Sequence, residues 1–326
     1  MTDFIFLGED LGMGANKLHG AAGGLQTISQ VSSNGTQAIT GMVGLKARTR
    51  PLHIATQHGS FYIGDGAHSA GRPVENLNFD RLTGTPEMRA LFYGSLTQYQ
   101  REYGPFERPL RIVAGLPVKM MIGETSRTYQ DSVKAWLKGV HEFEADGVAQ
   151  RVEVAKVILT SQPVGALFDY AFDDAGEYIP GREDAMLDEF GVVSVGFNTL
   201  ELLVVQAQVA ADRFVAGNTV GVRRLLELID PSRMYSLGEL DAKLRGGRLK
   251  AEIKTNLPLW ASDVTGEIED RWGDTWKRFS RVLIVGGGAL LLRDVLTAYF
   301  GAKAWIPENA VGSIARGLYK LNILKG

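Results

Sequence analysis

Short apolar runs alternate with longer helical segments along most of this chain, and that alternation limits the possible folds more than any other feature. The apolar runs are rich in Val, Ile, Leu and Phe, which favour buried strands. Predicted strands lie at 4–10, 111–118, 151–162, 190–196, 200–209 and 281–288. Predicted helices lie at 86–103, 125–139, 163–172, 218–230, 250–272, 289–299 and 310–321. Strands that alternate with helices indicate an α/β architecture.

The length, charge and cysteine content of the chain indicate its number of domains, its binding partners and its compartment. A chain of 326 residues is too long for one compact core, so it predicts two domains. The net charge of −2 gives no positive field towards DNA or an anionic membrane, so we expect no direct sequence-specific nucleic-acid binding and no membrane attachment. The absence of cysteine excludes disulfides and is typical of a reducing cytoplasm, where we expect the protein to be.

Two minor features predict ordinary roles. The basic stretch KLRGGRLK (243–250) predicts a solvated face, with a contact to another copy of the chain or another partner as the alternative. The five histidines have no paired metal-ligand spacing, so we expect them at the surface or in the core.

A glycine-bearing turn follows the first predicted strand, in the stretch GEDLGMGANK. Gly12 and Gly14 allow backbone N–H groups to converge on an anion without obstruction by side chains. Lys17 adds a positive charge for a phosphate, and Asp10 is placed to hold the water shell of Mg²⁺. The alternative is a glycine-rich hairpin with a surface lysine. The spacing fits neither a dinucleotide-binding fingerprint nor a P-loop.

The stretch FGVVSVGFNTLELLVV (190–205) repeats this layout of strand, turn and strand, with Gly196, Asn198 and Thr199 in the turn. Taken alone, it predicts a β-hairpin. Two similar hairpins so remote in the chain suggest two loops that hold one polyphosphate from opposite sides.

A third glycine cluster follows the strand in RVLIVGGGALLL. Gly286, Gly287 and Gly288 are unfavourable in backbone entropy unless another group must approach the backbone closely. A nucleoside base or its sugar is such a group. The alternative is a tight turn between a strand and a helix.

Several stretches together resemble the actin-like ATPase superfamily. DLGMGANK resembles its first phosphate loop, LTSQPVGALFDY its first connecting segment, SVGFNTLE its second phosphate loop, VGGG its adenosine motif, and ENAVGSIARGLYKL its last connecting helix. IVAGLPV and YIGDGA are similar to parts of the ParM-like plasmid-segregation branch and its archaeal relatives. The matches follow the order of the family and cover nearly the whole chain.

The resemblance implies an actin-like fold, in which two α/β domains flank a nucleotide cleft. The first domain would comprise 1–162, closed by 305–326, and the second would comprise 163–304. ATP or ADP and Mg²⁺ would bind between the two domains.

The resemblance also implies a role for each matching residue. Asp10 would lie near the metal's water shell, and Gln162 would orient the attacking water. The remaining nucleotide-binding positions are Gly12, Gly14, Asn16 and Lys17 in the first loop, Gly196, Asn198 and Thr199 in the opposing clamp, Gly286, Gly287 and Gly288 beside the nucleoside, and Glu252 at the ribose.

The second loop departs from the family pattern at its first position. The family has Asp there and this chain has Ser194, while the later Asp of the motif is Glu201. Phosphoryl transfer depends mainly on positioning and on charge neutralisation by the metal. The resemblance therefore implies a working ATPase in which hydrolysis is weakened more than nucleotide binding.

The leading hypothesis is an actin-like ATPase that assembles into nucleotide-dependent filaments. In the ParM-like branch such filaments separate plasmids through a DNA-bound adaptor protein, so the resemblance implies that role or a related cytoskeletal one. One alternative is a small-molecule kinase of the sugar or acetate type, which needs a general base beside the acceptor hydroxyl. Another is a nucleotide-binding scaffold that hydrolyses weakly because of Ser194.

Overall fold

The computed structural model describes residues 3–33 and 50–326, and it confirms the α/β architecture. Its strands form two sheets. The first contains β1 (Ile5–Leu11), β2 (Ala15–Gly20), β3 (Gly23–Ile28), β4 (Val31–Ser33), β5 (Leu52–Thr56), β6 (Gly59–Ile63), β7 (Arg72–Pro73), β8 (Leu110–Leu116), β9 (Gly139–Ala145) and β10 (Val148–Ser161). The second contains β11 (Glu189–Val195), β12 (Leu200–Gln206), β13 (Val209–Ala210), β14 (Ala216–Asn218), β15 (Arg281–Val285) and β16 (Ala304–Trp305).

The two sheets contain the same arrangement of parallel strands with one antiparallel return strand. In the first, with the order β3-β2-β1-β8-β10-β9-β5-β6-β4-β7, strands β1, β8 and β10 are parallel and β2 returns antiparallel beside β1. In the second, with the order β13-β12-β11-β15-β16, strands β11, β15 and β16 are parallel and β12 returns beside β11. The β1–β2 and β11–β12 hairpins therefore occupy equivalent places in the two sheets.

Helices cover the sheets and connect them. They are α1 (Ala67–Ala70), α2 (Pro86–Tyr103), α3 (Ser126–Leu137), α4 (Gln162–Ala171), α5 (Val222–Ile229), α6 (Leu237–Arg245), α7 (Lys250–Trp272), α8 (Gly287–Leu291), α9 (Arg293–Phe300) and α10 (Ser313–Leu324). The predicted helix 289–299 is divided at Leu292 into α8 and α9. The sequence predicted neither α1 nor α6, and among the described residues it missed ten strands, β2 to β7, β9, β13, β14 and β16. Among the described residues, no helix is long and apolar enough to cross a membrane.

Helices α4 and α10 cross between the two sheets at a pair of glycines. A Cβ on Gly317 would overlap the backbone of Gly165, and a Cβ on Gly165 would overlap the carbonyl oxygen of Ile314, so both positions must lack a side chain. One turn further along α4, the buried carboxylate of Asp169 accepts two hydrogen bonds from Arg316, both at 2.6 Å, and one from Lys320 at 3.0 Å. These charged hydrogen bonds fix the position of α10 along α4. Both helices begin at the space between the sheets.

Candidate functional site

A cavity of about 290 Å³ lies where the carboxyl ends of the parallel strands of both sheets meet. In open α/β sheets, ligands bind outside these strand ends. The lining residues are Asp10 to Ala15, Lys17, Gln26, Pro117, Gln162, Ser194, Gly196 to Thr199, Val222, Asp241, Leu244, Arg245, Gly286, Gly287, Leu290, Leu291, Val311 and Ile314. Its volume approaches the range of small-molecule sites.

The β1–β2 turn brings bare backbone next to a cation. Asp10 and Lys17 are directly paired across the hairpin, and the turn between them includes Gly12 and Gly14. A Cβ on Gly12 would overlap the carbonyl oxygen of Ala15 and would lie 3.1 Å from Lys17 Nζ. Glycine at position 12 is therefore required by the close approach of the returning strand.

Both carboxylate oxygens of Asp10 already have a donor. Lys17 Nζ lies 2.7 Å from Oδ2, and Gln162 Nε2 donates to Oδ1 over 2.6 Å. The side chain of Asp10 is 4% exposed and that of Lys17 is 16% exposed, so little solvent screens the pair. An anion that drew Lys17 away would leave one oxygen of Asp10 able to accept from another donor.

The β11–β12 turn is held from behind by the start of α5. Gly196 N donates to Thr199 O at 2.8 Å, which closes the turn, and Val222 N donates to Gly196 O at 3.0 Å. The Asn198 side chain accepts from Arg223 Nη1 at 3.3 Å. Asn198 and Thr199 are buried at the cavity wall.

The two turns are in direct contact. A Cβ on Gly14 would overlap Cβ of Phe197 and would lie 2.6 Å from its Cγ. Lys17 from the first turn and Thr199 from the second line the same cavity. Two hairpins that are remote in the chain thus form one site.

The three consecutive glycines have different surroundings. Gly286 has a φ of +95°, which favours glycine, and its backbone lies against Val195. A Cβ on Gly287 would meet nothing within 4 Å, and this residue lines the cavity together with Gly286. Gly288 does not line it, because it packs against the side chain of Val195.

Asn16 is not among the cavity-lining residues either. Side chains alternate between the faces of a strand, so Lys17 points into the cavity and Asn16 points away from it. Its Nδ2 donates to Glu9 Oε1 at 2.9 Å and to Ser95 Oγ at 3.0 Å, inside the first half of the molecule.

Glu252 lies on the exposed face of α7 and does not line the cavity. The neighbouring helix α6 contributes Asp241, Leu244 and Arg245 instead. A sequence signal for α6 exists: Ser236 and Glu239 form a reciprocal capping box, a pattern that marks a helix start.

Two buried acids lie behind the turns. Burial raises the pKa of Glu201 to about 8, and the charge of Asp10 contributes to the rise. Glu201 Oε1 accepts from Val118 N at 3.0 Å, so this side chain joins the second sheet to the segment that follows β8. Burial likewise raises the pKa of Glu9 to about 8. Ser194, the cross-strand partner of Glu201, is buried and lines the cavity.

No group of three or more His, Asp or Glu side chains in 3–33 and 50–326 is arranged to hold a metal ion. A cation here would depend on Asp10, on water and on oxygens of a ligand. That donor set fits Mg²⁺, which keeps several waters and binds through one or two carboxylates and substrate phosphates.

Comparison with known proteins gives a family model and a set of similar structures. Residues 8–165 match the model for the N-terminal domain of actin-like proteins. No curated protein matches the chain.

Three solved structures are similar over almost the full length of both chains. Apo psk41 ParM is 17% identical, with a TM-score of 0.74 over 99% of this chain and 98% of that one. The archaeal actin homologue Ta0583 in complex with ADP is 16% identical, with a TM-score of 0.72 over 99% and 100%. A 15-stranded ParM filament from Clostridium botulinum is 16% identical, with a TM-score of 0.73 over 98% and 99%.

Proposed function

We propose, from the premise that this chain has an actin-like fold of the ParM type, that it is a nucleotide-dependent, filament-forming ATPase. The observation that carries the proposal is the contact between two glycine-bearing turns, which places Lys17 and Thr199 around one cavity. Solved proteins of the same fold include a complex with ADP and a filament. The sequence similarity favours ATP as the triphosphate.

The phosphates would lie between the two turns. Lys17 supplies the positive charge, and Gly12, Gly14 and Gly196 leave the cavity wall at the turns free of side chains. The N–H groups of Gly12 and Gly196 already donate within the turns, to Asp10 O and Thr199 O, so Lys17 is the main donor on this side. The hydroxyl of Thr199 adds a donor on the opposite side. A charged hydrogen bond is worth about 1.5–3 kcal/mol, so loss of Lys17 would lower the affinity by about 10- to 150-fold.

The nucleoside would lie further along the cavity, against α8. Gly287 leaves open space beside its backbone, and Leu290 and Leu291 offer apolar surface for a base. Arg245 from α6 lines the same cavity. Arginine has donors beyond the Nε that is bonded to Asp241, and these can reach hydroxyl or phosphate oxygens. We therefore assign the ribose contact, which the family resemblance implied for Glu252, to α6.

Phosphate binding would rearrange the charges around Asp10. When Lys17 turns from Asp10 to a phosphate, Asp10 Oδ2 becomes available to hold a water molecule of a bound Mg²⁺. When bound, Mg²⁺ supplies positive charge to the phosphate oxygens. Asp10 then acts by orientation, and it transfers no proton.

Gln162 would orient the attacking water. Its Nε2 is bonded to Asp10, so its Oε1 can accept a hydrogen bond from a water in line with the terminal phosphate. Gln162 is neutral and does not take the proton. Because Ser194 replaces a carboxylate, hydrolysis would be slow relative to binding.

Hydrolysis would control assembly by changing the preferred arrangement of the two halves. A tenfold difference in assembly constant between nucleotide states needs only about 1.4 kcal/mol. We propose domains of 1–162, closed by 305–326, and 163–304. The separate sheets support this division except at Trp305, which belongs to β16 of the second sheet. A cytoplasmic role in DNA segregation through an adaptor protein rests on the family resemblance.

The proposal is tested on purified protein with ATP and Mg²⁺, with ADP, and without nucleotide. Nucleotide affinity, phosphate release and sedimentation are measured, and pelleted material is viewed by electron microscopy. Lys17→Ala should lower affinity by at least about tenfold, whereas Lys134→Ala on the exposed face of α3 serves as the matched control. Protein that stays monomeric at high concentration in every nucleotide state would contradict filament formation. A sugar- and acetate-phosphorylation screen tests the kinase alternative, which predicts a phosphorylated product.

A further inference from the structure

Helix α6 touches both halves of the molecule, although it is only nine residues long. Its first turn lies against residues of the first half, and its last two turns line the cavity with Asp241, Leu244 and Arg245. The space between the two sheets that contains this cavity is the cleft.

Two hydrogen bonds join the first turn of α6 to the first half. The carbonyl oxygen of Gly238 accepts from Gln30 Nε2 at 2.8 Å, and its N–H donates to Glu75 Oε1 at 3.2 Å. Gln30 follows β3 and is buried, and Glu75 follows β7. These bonds therefore span the mouth of the cleft.

The ring of His68 explains why glycine occupies position 238. A Cβ there would overlap Nδ1 and Cε1 of His68 and would lie 3.2 Å from Cγ. Glycine inside a helix costs about 1 kcal/mol relative to alanine. Gly238 is not among the described residues with positive φ, so its backbone conformation does not require glycine. The close approach of His68 does.

The opposite end of α6 carries a charged pair into the cavity. Arg245 Nε lies 2.7 Å from Asp241 Oδ2, one helical turn away. Asp241 also lines a smaller cavity of about 40 Å³ beneath the first turn of α6, together with His68, Gly238 and Arg81. Helix α6 thus connects the Gly238 contacts with the first half to the main cavity.

The contact between α6 and the first half also includes an unfavourable contribution from buried polar atoms. Both ring nitrogens of His68, and Nε and Nη2 of Arg81, are buried without a hydrogen-bond partner among the described residues. Burial of an unpaired polar group is unfavourable. Opening the cleft would hydrate these atoms, which would offset part of the loss of the Gly238 bonds and of the 3.8 Å contact between His68 Nδ1 and Glu75 Oε1.

We propose that the contact of Gly238 with His68, Gln30 and Glu75 is a latch that holds the cleft closed, and that α6 couples this latch to the ligand through Arg245. The coupling rests on the proposed nucleotide function. A ligand that binds Arg245 fixes the position of α6, and α6 in this position keeps the Gly238 contacts of the latch formed. The latch itself is formed without ligand, so it can be tested separately.

The experiment measures the distance between two spin labels across the cleft. Because the chain has no cysteine, Gln57→Cys and Ser262→Cys place single labels at exposed positions in the first half and on α7. Gly238→Ala should widen the ligand-free distance distribution. Adding His68→Ala removes the overlapping ring and should restore the shorter distance. Gly266→Ala, where a Cβ meets nothing within 4 Å, is the control for a helical Gly→Ala change.

The same variants are then titrated with ADP and with a non-hydrolysable ATP analogue. Gly238→Ala should raise Kd about tenfold, which corresponds to about 1.4 kcal/mol, and the double variant should recover most of it. A distance distribution in Gly238→Ala equal to that of the parent protein overturns the latch, as does failure of the double variant to restore it. Absence of nucleotide binding by the parent protein refutes the proposed function instead, while the ligand-free distances still decide the latch.

Discussion

Replacement of Gly14 by alanine should separate the two turns and weaken nucleotide binding. The added Cβ would overlap Cβ of Phe197 and would lie 2.6 Å from its Cγ, whereas nonbonded carbons approach to about 3.5–4.0 Å. Both contacted atoms are near the backbone of Phe197, so a change of rotamer cannot relieve the Cβ overlap. The turns must therefore move apart by about an ångström.

The size of the effect follows from the energy of overpacking. Inserting a methyl group into a packed site costs about 1–3 kcal/mol. If the ligand binds the arrangement with the turns in contact, that energy is lost from binding, which corresponds to a Kd about 5- to 150-fold higher. Isothermal titration calorimetry with ADP and with a non-hydrolysable ATP analogue measures it directly.

Two further variants separate this explanation from a general loss of structure. Gly266→Ala on α7 should bind like the parent protein, because its Cβ meets nothing within 4 Å. Gly14→Ala combined with Phe197→Gly removes the overlapping Cβ and should regain affinity, with thermal unfolding as the check on folding. Parent-like affinity in Gly14→Ala would refute the reasoning that the two turns must touch.

The remaining predictions concern the buried polar groups. Ser194→Asp should increase the rate of phosphate release, and an unchanged rate would remove the argument that this position slows hydrolysis. The pKa of Glu201 is raised from 4.5 to about 8, so between these values the folded state holds a proton that the unfolded chain has lost. This site's contribution to stability is full below pH 4.5, falls as pH rises from about 4.5 to about 8, and is lost above that. Glu201→Gln should flatten that pH dependence in urea unfolding; an unchanged slope would contradict the protonated state. Asp169→Asn should destabilise by about 3–5 kcal/mol, since it removes the buried carboxylate that pairs with the buried Lys320 and the partly buried Arg316, whereas Asp146→Asn in an exposed ion pair should change stability by less than about 1 kcal/mol in the same assay.

Local periodicity predicted six of the sixteen strands among the described residues, and all of the described helices except α1 and α6. The predicted bounds of α2 and α7 agree with the structure, and each of the six predicted strands is present within a few residues. Apolar side chains repeat along these elements with a period that depends only on neighbours in the chain. The glycine turns were also visible, because Gly12, Gly196 and Gly286 follow buried strands.

Helix α6 escaped prediction because its local signals conflict. Gly238 lies inside it, Gly246 and Gly247 follow it, and its charged residues belong to a stretch that predicted a solvated face. The contact with His68 that explains Gly238 comes from the other half of the molecule. Only the capping box at Ser236 marked the helix locally.

The sequence by itself determined most of the helices, six of the strands, and the glycine-bearing turns that leave the backbone bare at strand ends. Tertiary structure alone decided which side chains share the cavity. Lys17 faces it and Asn16 does not, because the register of the β1–β2 hairpin assigns alternate residues to opposite faces. Arg245 lines it and Glu252 does not, because the packing of α6 against the first half sets the position of that helix. Such choices depend on contacts between distant segments, which local periodicity does not encode.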